Sequence, residues 1–139
     1  MSANASDNAQ SMIVYSIIES AAHPTLSALY RRYGYEEIRL TSVRKAIQEL
    51  KTHTPELVVA DFLYGYGNNY AGVNISNLDV FLYSLQKYAP DCKVIALYEK
   101  SEQAYIGKLQ TLFNITASFA YPVAESEIEA VLSSPLRGR

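Results

Sequence analysis

The chain has 139 residues, enough for one buried core and too few for two ordinary domains. Apolar residues make up 49% and charged residues 19%, with a formal net charge of -2, a globular composition without the basic excess that nucleic acid requires. Cys92 is the only cysteine, which excludes an internal disulfide and a cysteine-based zinc site and fits a reducing cytoplasm.

Met1 to Ser11 is polar, lacks Lys and Arg, and reads as a disordered lead-in rather than a signal peptide. The apolar run behind it, Met12 to Ile18, is far below membrane-spanning length, so a cytoplasmic protein without a membrane partner is expected. That run is rich in β-branched and aromatic residues and predicts a buried first strand. Leu26, Leu29, Tyr30 and Tyr33 then recur at helical spacing from a start near Pro24, and Gly34 supplies the stop. Glu36 to Leu40 predicts a second strand. Val43, Ala46, Ile47 and Leu50 form the apolar stripe of a second helix, capped by Thr41 or Ser42.

Pro55 introduces a third strand, Leu57 to Ala60, which ends at Asp61. The stretch from Phe62 to Ile75 is rich in Tyr, Gly and Asn and exceeds the usual length of a strand-to-helix connection. Ser76 to Asp79 resembles a capping box with Asp in place of Glu, and Leu78, Phe81, Leu82 and Leu85 line a third helix that stops before Pro90. Lys93 to Tyr98 is the fourth strand. Ser101 caps a fourth helix with Tyr105, Leu109, Leu112 and Phe113, and Ile115 to Ala120 is the fifth strand, ended by Tyr121-Pro122. Glu125 to Leu132 is the last helix, with acids in its first turn.

Alternating strands and helices predict an α/β fold, a parallel sheet with helices on both faces. With five strands the leading topology is the flavodoxin-like (βα)5 sandwich of order 2-1-3-4-5, whose ligand crevice lies above strands one and three, where Asp61 projects. The expected organisation is a lead-in over residues 1–11, one domain over residues 12–133 and a flexible tail over residues 134–139.

The segments Leu40-Thr-Ser-Val-Arg-Lys-Ala-Ile-Gln-Glu-Leu-Lys51, Pro55-Glu-Leu-Val-Val-Ala-Asp61, Val94-Ile-Ala-Leu-Tyr98 and Tyr121-Pro122 together resemble the receiver domain of bacterial response regulators. The resemblance spans roughly residues 12 to 133 and includes the position of the phosphoacceptor, which falls on Asp61. Receivers place an acidic pair after the first strand to hold Mg²⁺, which favours carboxylate and water oxygens. Here that region is Ser16-Ile17-Ile18-Glu19-Ser20, so Glu19 is a remnant of the acidic pocket and Glu19 with Asp61 holds a metal weakly at best. The family's Thr or Ser at the end of strand four is Tyr98, and its Lys before Pro122 is Tyr121; neither carries positive charge to pair with phosphate. Lys100 is the candidate substitute cation.

What the resemblance implies is a degenerate receiver: not an enzyme, without a cofactor unless Mg²⁺ serves an active site, acting through protein partners. The partner is a histidine kinase or a separate output protein, with a homodimer through the face of helix four, strand five and helix five as a further possibility. Tyr64, Tyr66, Asn68, Asn69 and Tyr70 form the candidate interaction loop, since Tyr and Asn give amphipathic, adaptable contacts. Alternatively those tyrosines fold back and close the acidic pocket. Tyr98, Tyr105 and Tyr121 are expected near the dimer face, and His23 and His53 at the surface or at caps. Two other readings stand beside this one: an atypical active regulator phosphorylated on Asp61, and a flavodoxin-like binder of a small ligand.

Overall fold

Strand-forming runs and amphipathic stripes alternate in the chain, and the computed structural model, which describes residues 12–65 and 76–134, turns each into one element. The strands are β1 (Met12–Ile17), β2 (Tyr35–Leu40), β3 (Leu57–Asp61), β4 (Lys93–Tyr98) and β5 (Ala117–Ala120). The helices are α1 (Ser27–Arg32), α2 (Val43–Glu49), α3 (Asp79–Tyr88), α4 (Gln103–Leu112) and α5 (Glu125–Leu132). All strand pairs are parallel, in the order β2-β1-β3-β4-β5. This is the flavodoxin-like arrangement expected from the sequence. Each of the five residues of the central strand β3 is buried, because helices cover both sheet faces.

Side chains alternate across the sheet and so divide the core in two. On one face Tyr15, Val58, Ala60, Ala96 and Tyr98 pack against Ala46 of α2, Phe81 and Leu85 of α3, and Ile106 and Leu109 of α4. On the other, Val14, Leu57, Val59, Ile95 and Leu97 meet Leu29 and Tyr30 of α1 and Ile128 of α5. Asp61 follows Leu57 and Val59 in parity, which places it on the α1/α5 side at the carboxyl edge. No helix among the described residues is long and apolar enough to cross a membrane.

Helix boundaries differ from expectation where hydrogen bonds have other uses. α1 starts at Ser27 rather than near Pro24, because the preceding residues form the loop over Asp61. Its end is set by Gly34, whose φ of 84° suits a residue without Cβ. Ser42 does cap α2, with Oγ accepting from Lys45 N at 3.1 Å. Replacing Ser42 with Ala should cost about 1 kcal/mol in urea unfolding, whereas Thr41→Ala should stay within about 0.5 kcal/mol. Only half of the capping box before α3 forms: Asp79 Oδ1 accepts from Ser76 N at 2.7 Å, while Ser76 Oγ accepts from Leu78 N at 3.1 Å. Ser101 does not cap α4, since residues Lys100–Glu102 make a 3-10 turn that leads directly into the helix. β5 begins at Ala117, two residues later than expected, and Thr116 instead ties its entry to β4 through Val94 N.

Candidate functional site

Asp61 lies at the carboxyl end of β3, beside the end of β4 through its pairing with Leu97, and it is fully buried. The β1–α1 loop crosses directly above it. Ile18 N still donates to Leu40 O, after which the chain leaves the sheet and presents two consecutive amides to the carboxylate. Glu19 N donates to Asp61 Oδ2 at 2.8 Å and Ser20 N to the same oxygen at 2.9 Å. Ser20 then folds the loop into a tight turn, accepting from Ala22 N at its hydroxyl and from His23 N at its carbonyl. That turn brings the His23 ring against the site, with Nδ1 2.9 Å from Asp61 Oδ1. Facing a carboxylate, Nδ1 is the donor.

The fourth donor comes from the opposite side of the crevice. β5 ends at Ala120, and Tyr121 N continues the ladder by donating to Tyr98 O. The ring of Tyr121 reaches across the end of β4, and its hydroxyl donates to Asp61 Oδ1 while lying 3.3 Å from Leu97 O. Burial raises the Tyr121 phenol above its ordinary range, and the adjacent Asp61 carboxylate, as hydrogen-bond acceptor and as charge, raises it further. The peptide bond Tyr121-Pro122 is cis, and Pro122 itself is exposed.

A carboxylate offers about four lone-pair directions, and Asp61 has four donors. Its acceptor capacity is filled. The backbone is held as well: Asn77 Nδ2 donates to Asp61 O at 2.9 Å and to Glu19 Oε1 at 2.6 Å, and Asn77 Oδ1 accepts from Leu63 N at 2.8 Å. Glu19 therefore meets Asp61 through its amide, and its carboxylate is engaged by Asn77. These residues do not fit Mg²⁺, because both Asp61 oxygens point at protein donors and Glu19 is turned to an amide. Among the described residues there is no group of three or more His, Cys, Asp or Glu side chains arranged to hold a metal ion.

The remaining expected positions separate. Tyr98 is buried in the core beneath α3 and α4, on the sheet face opposite Asp61, and does not join the site. With Tyr121 also buried, neither tyrosine is available to a surface on the α4–β5–α5 face, contrary to expectation. Lys100 is exposed on the 3-10 turn and is absent from the donors around Asp61. Tyr64 does not close over the pocket: it stacks on Tyr105 of α4 with centroids 3.6 Å apart, and its amide donates to Glu102 Oε1. Tyr66, Asn68, Asn69 and Tyr70 lie outside the described residues.

His23 corrects the expectation most. Its side chain is 3% exposed and pairs with Asp61, whereas His53 is exposed and bonds Glu49 as a surface residue. Asp61 is thus no isolated anion. Ser20 and Asn77 were also unassigned by sequence reasoning, and the available signal was their place in the β1–α1 and β3–α3 connections, both of which end at the crevice.

No family model matches the chain, and no curated protein matches it in sequence. Solved structures do share its fold. A response regulator from Thermotoga maritima superposes with a TM-score of 0.62 at 17% identity, over 89% of this chain and 99% of that one. A response regulator from Burkholderia pseudomallei with a phosphorylated aspartic acid, a calcium ion and citrate gives 0.59 at 18%, over 88% and 67%. A protein described as one of a family of redox sensors in the streptococci that evolved from two-component response regulators gives 0.67 at 12%, over 88% of this chain and 49% of that one. The fold is that of receiver domains.

Proposed function

We propose that the chain is a receiver-like signalling module that acts through protein contacts and independently of phosphorylation at Asp61. The observation that carries this reading is the closed ring of four donors on the fully buried Asp61 carboxylate. Phosphoryl transfer to a carboxylate needs a free oxygen lone pair aligned with phosphorus and a cation to neutralise the transferred group. Freeing either Asp61 oxygen breaks two hydrogen bonds to a buried acceptor, about 3–6 kcal/mol before any chemistry starts. The Burkholderia neighbour holds a phosphorylated aspartate with calcium; in this chain Tyr121 occupies the place where the family resemblance expects a lysine, and it donates to the acceptor itself.

The module would then be fixed in one conformation by its own side chains, with His23 and Tyr121 holding the Asp61 carboxylate in place. Such a module conveys information by being bound, and the streptococcal neighbour illustrates that a receiver fold can serve a different purpose. Incubation with acetyl phosphate and Mg²⁺ followed by intact-mass analysis tests the proposal. The mass is expected to stay unchanged over hours; a gain of one phosphoryl group, mapped to Asp61 by peptide analysis, would overturn it.

A further inference from the structure

Two connections meet at the crevice: the β1–α1 loop, which carries Glu19, Ser20 and His23, and the β3–α3 connection, of which residues 62–65 and 76–78 are described. Among the described residues a single hydrogen bond joins them, from Asn77 Nδ2 to Glu19 Oε1 at 2.6 Å. Asn77 commits its whole amide to this junction. Its NH₂ group serves Glu19 and the carbonyl of Asp61, at 2.9 Å, while Oδ1 accepts from Leu63 N at 2.8 Å, so the partners themselves fix which way the amide points. The backbone closes a reciprocal pair, Asn77 N donating to Leu63 O at 3.2 Å. Asn77 is only 8% exposed, and a buried network of this kind opens as a group, because breaking one bond leaves its neighbours without partners.

The far side of the β3–α3 connection is anchored too. Tyr64 pairs with Ser76 in an antiparallel bridge, stacks its ring on Tyr105 and donates its amide to Glu102 Oε1 at 3.2 Å. Tyr64 is 48% exposed and forms no hydrogen bond with Asp61, Glu19 or His23. Its link to the pocket runs through Leu63, Asn77 and Glu19. On the pocket side, Glu19 N and Ser20 N both donate to Asp61 Oδ2, so a displacement of the Glu19 backbone alters half of the donors on the carboxylate.

We propose that Asn77 makes the two connections one cooperative unit, so that a change at the exposed Tyr64 ring alters the hold of Glu19 and Ser20 on Asp61, and a change in that pocket alters the seating of Tyr64 in equal measure. This inference rests on the contact-based function above and adds the route by which a contact at the surface is felt at the buried carboxylate. The acid of Glu19 is needed only as an acceptor. Gln at position 19 keeps an oxygen for Asn77 Nδ2, whereas Ala removes it, and Asp at position 77 keeps the acceptor for Leu63 N but sets oxygen against both Glu19 and the Asp61 carbonyl.

Amide hydrogen exchange of the whole chain tests the linkage, with the Val59 and Ile95 amides as internal measures of global opening. Tyr64→Ala should speed exchange at Glu19 and Ser20 about fivefold relative to those core amides, in the natural sequence and equally in Glu19→Gln. In Glu19→Ala and in Asn77→Asp the same Tyr64 change should leave both amides where each background sets them. No response to Tyr64→Ala in the natural sequence, or an equal response in Glu19→Ala, would overturn the proposal; should Asn77→Asp fail to fold, the two Glu19 variants decide. An uncoupled exchange pattern while acetyl phosphate leaves Asp61 unmodified defeats the Asn77 linkage alone, whereas an Asp61 adduct defeats the underlying reading whatever the amides do.

Discussion

Replacing Asp61 with Ala or Asn should remove about 3 kcal/mol or more of folding stability, a large share of what a domain of this size possesses. Deleting an acid that is held among other acids relieves repulsion. Here the surroundings are donors: the amides of Glu19 and Ser20, Nδ1 of His23 and the hydroxyl of Tyr121 all point at one fully buried carboxylate. Ala leaves these donors without an acceptor, each costing about 1–3 kcal/mol unless water enters. Asn keeps the shape but has one acceptor oxygen and turns an NH₂ group toward other donors, so the isosteric change should be nearly as damaging. Urea unfolding of both variants gives the answer. Unchanged or increased stability in Asp61→Asn would mean that the donors do not depend on the carboxylate.

Stability should also fall steeply at alkaline pH, most of all above pH 10. Tyr15, Tyr30 and Tyr121 all hold their protons above the ordinary phenol value of 10.0, burial being the largest cause in each. The nearby carboxylates of Glu49, Glu37 and Asp61 add to it in that order of residues. Cys92 is similarly pushed up to about 12 by burial and by Glu56. In each case the folded group stays protonated where the unfolded one ionises. Their contribution is therefore complete below the unfolded value and declines as pH rises toward the folded value. Each phenol that ionises only on unfolding takes away up to about 1.4 kcal/mol per pH unit above 10, so the three together remove up to about 4 kcal/mol per unit. Urea midpoints at about pH 8, 10 and 11 should show this fall, with a shallower slope in Tyr121→Phe. A flat profile through pH 11 would contradict the buried, protonated state of these rings.

Much of this molecule was legible in its residues, for reasons of periodicity. Val58 and Val59 within an unbroken buried run, and Leu82 and Leu85 at helical spacing, declare strand and helix without help from the tertiary structure. Once five such pairs alternate, few topologies remain. Asp61 was legible because a strand end in a parallel sheet opens on the crevice.

The partners of Asp61 were not legible, because their roles come from backbone geometry and from parity rather than residue type. Glu19 looks like a metal ligand, yet its amide is the group that meets Asp61, and only the path of the β1–α1 loop decides this. His23 lacks any neighbour at ligand spacing and becomes a site residue when the Ser20 turn lifts its ring over β3. Tyr98 and Tyr121 look equivalent as aromatic residues at strand ends. The pairing of Asp61 with Leu97 puts Tyr98 on the opposite face, while Tyr121, one residue past β5, reaches back across β4. Ser101 fails as a cap because the 3-10 turn of Lys100–Glu102 already feeds α4.

The closed state of Asp61 is tested most directly by amide resonances. In ¹H–¹⁵N spectra of the labelled protein titrated with Mg²⁺ and beryllofluoride, an acyl-phosphate mimic, the Glu19 and Ser20 amides should stay where they are, because their acceptor is never released. Saturable shifts of both signals, accompanied by loss of the Tyr121 hydroxyl bond to Asp61, would show a carboxylate open to phosphoryl chemistry and contradict the proposed mode of action.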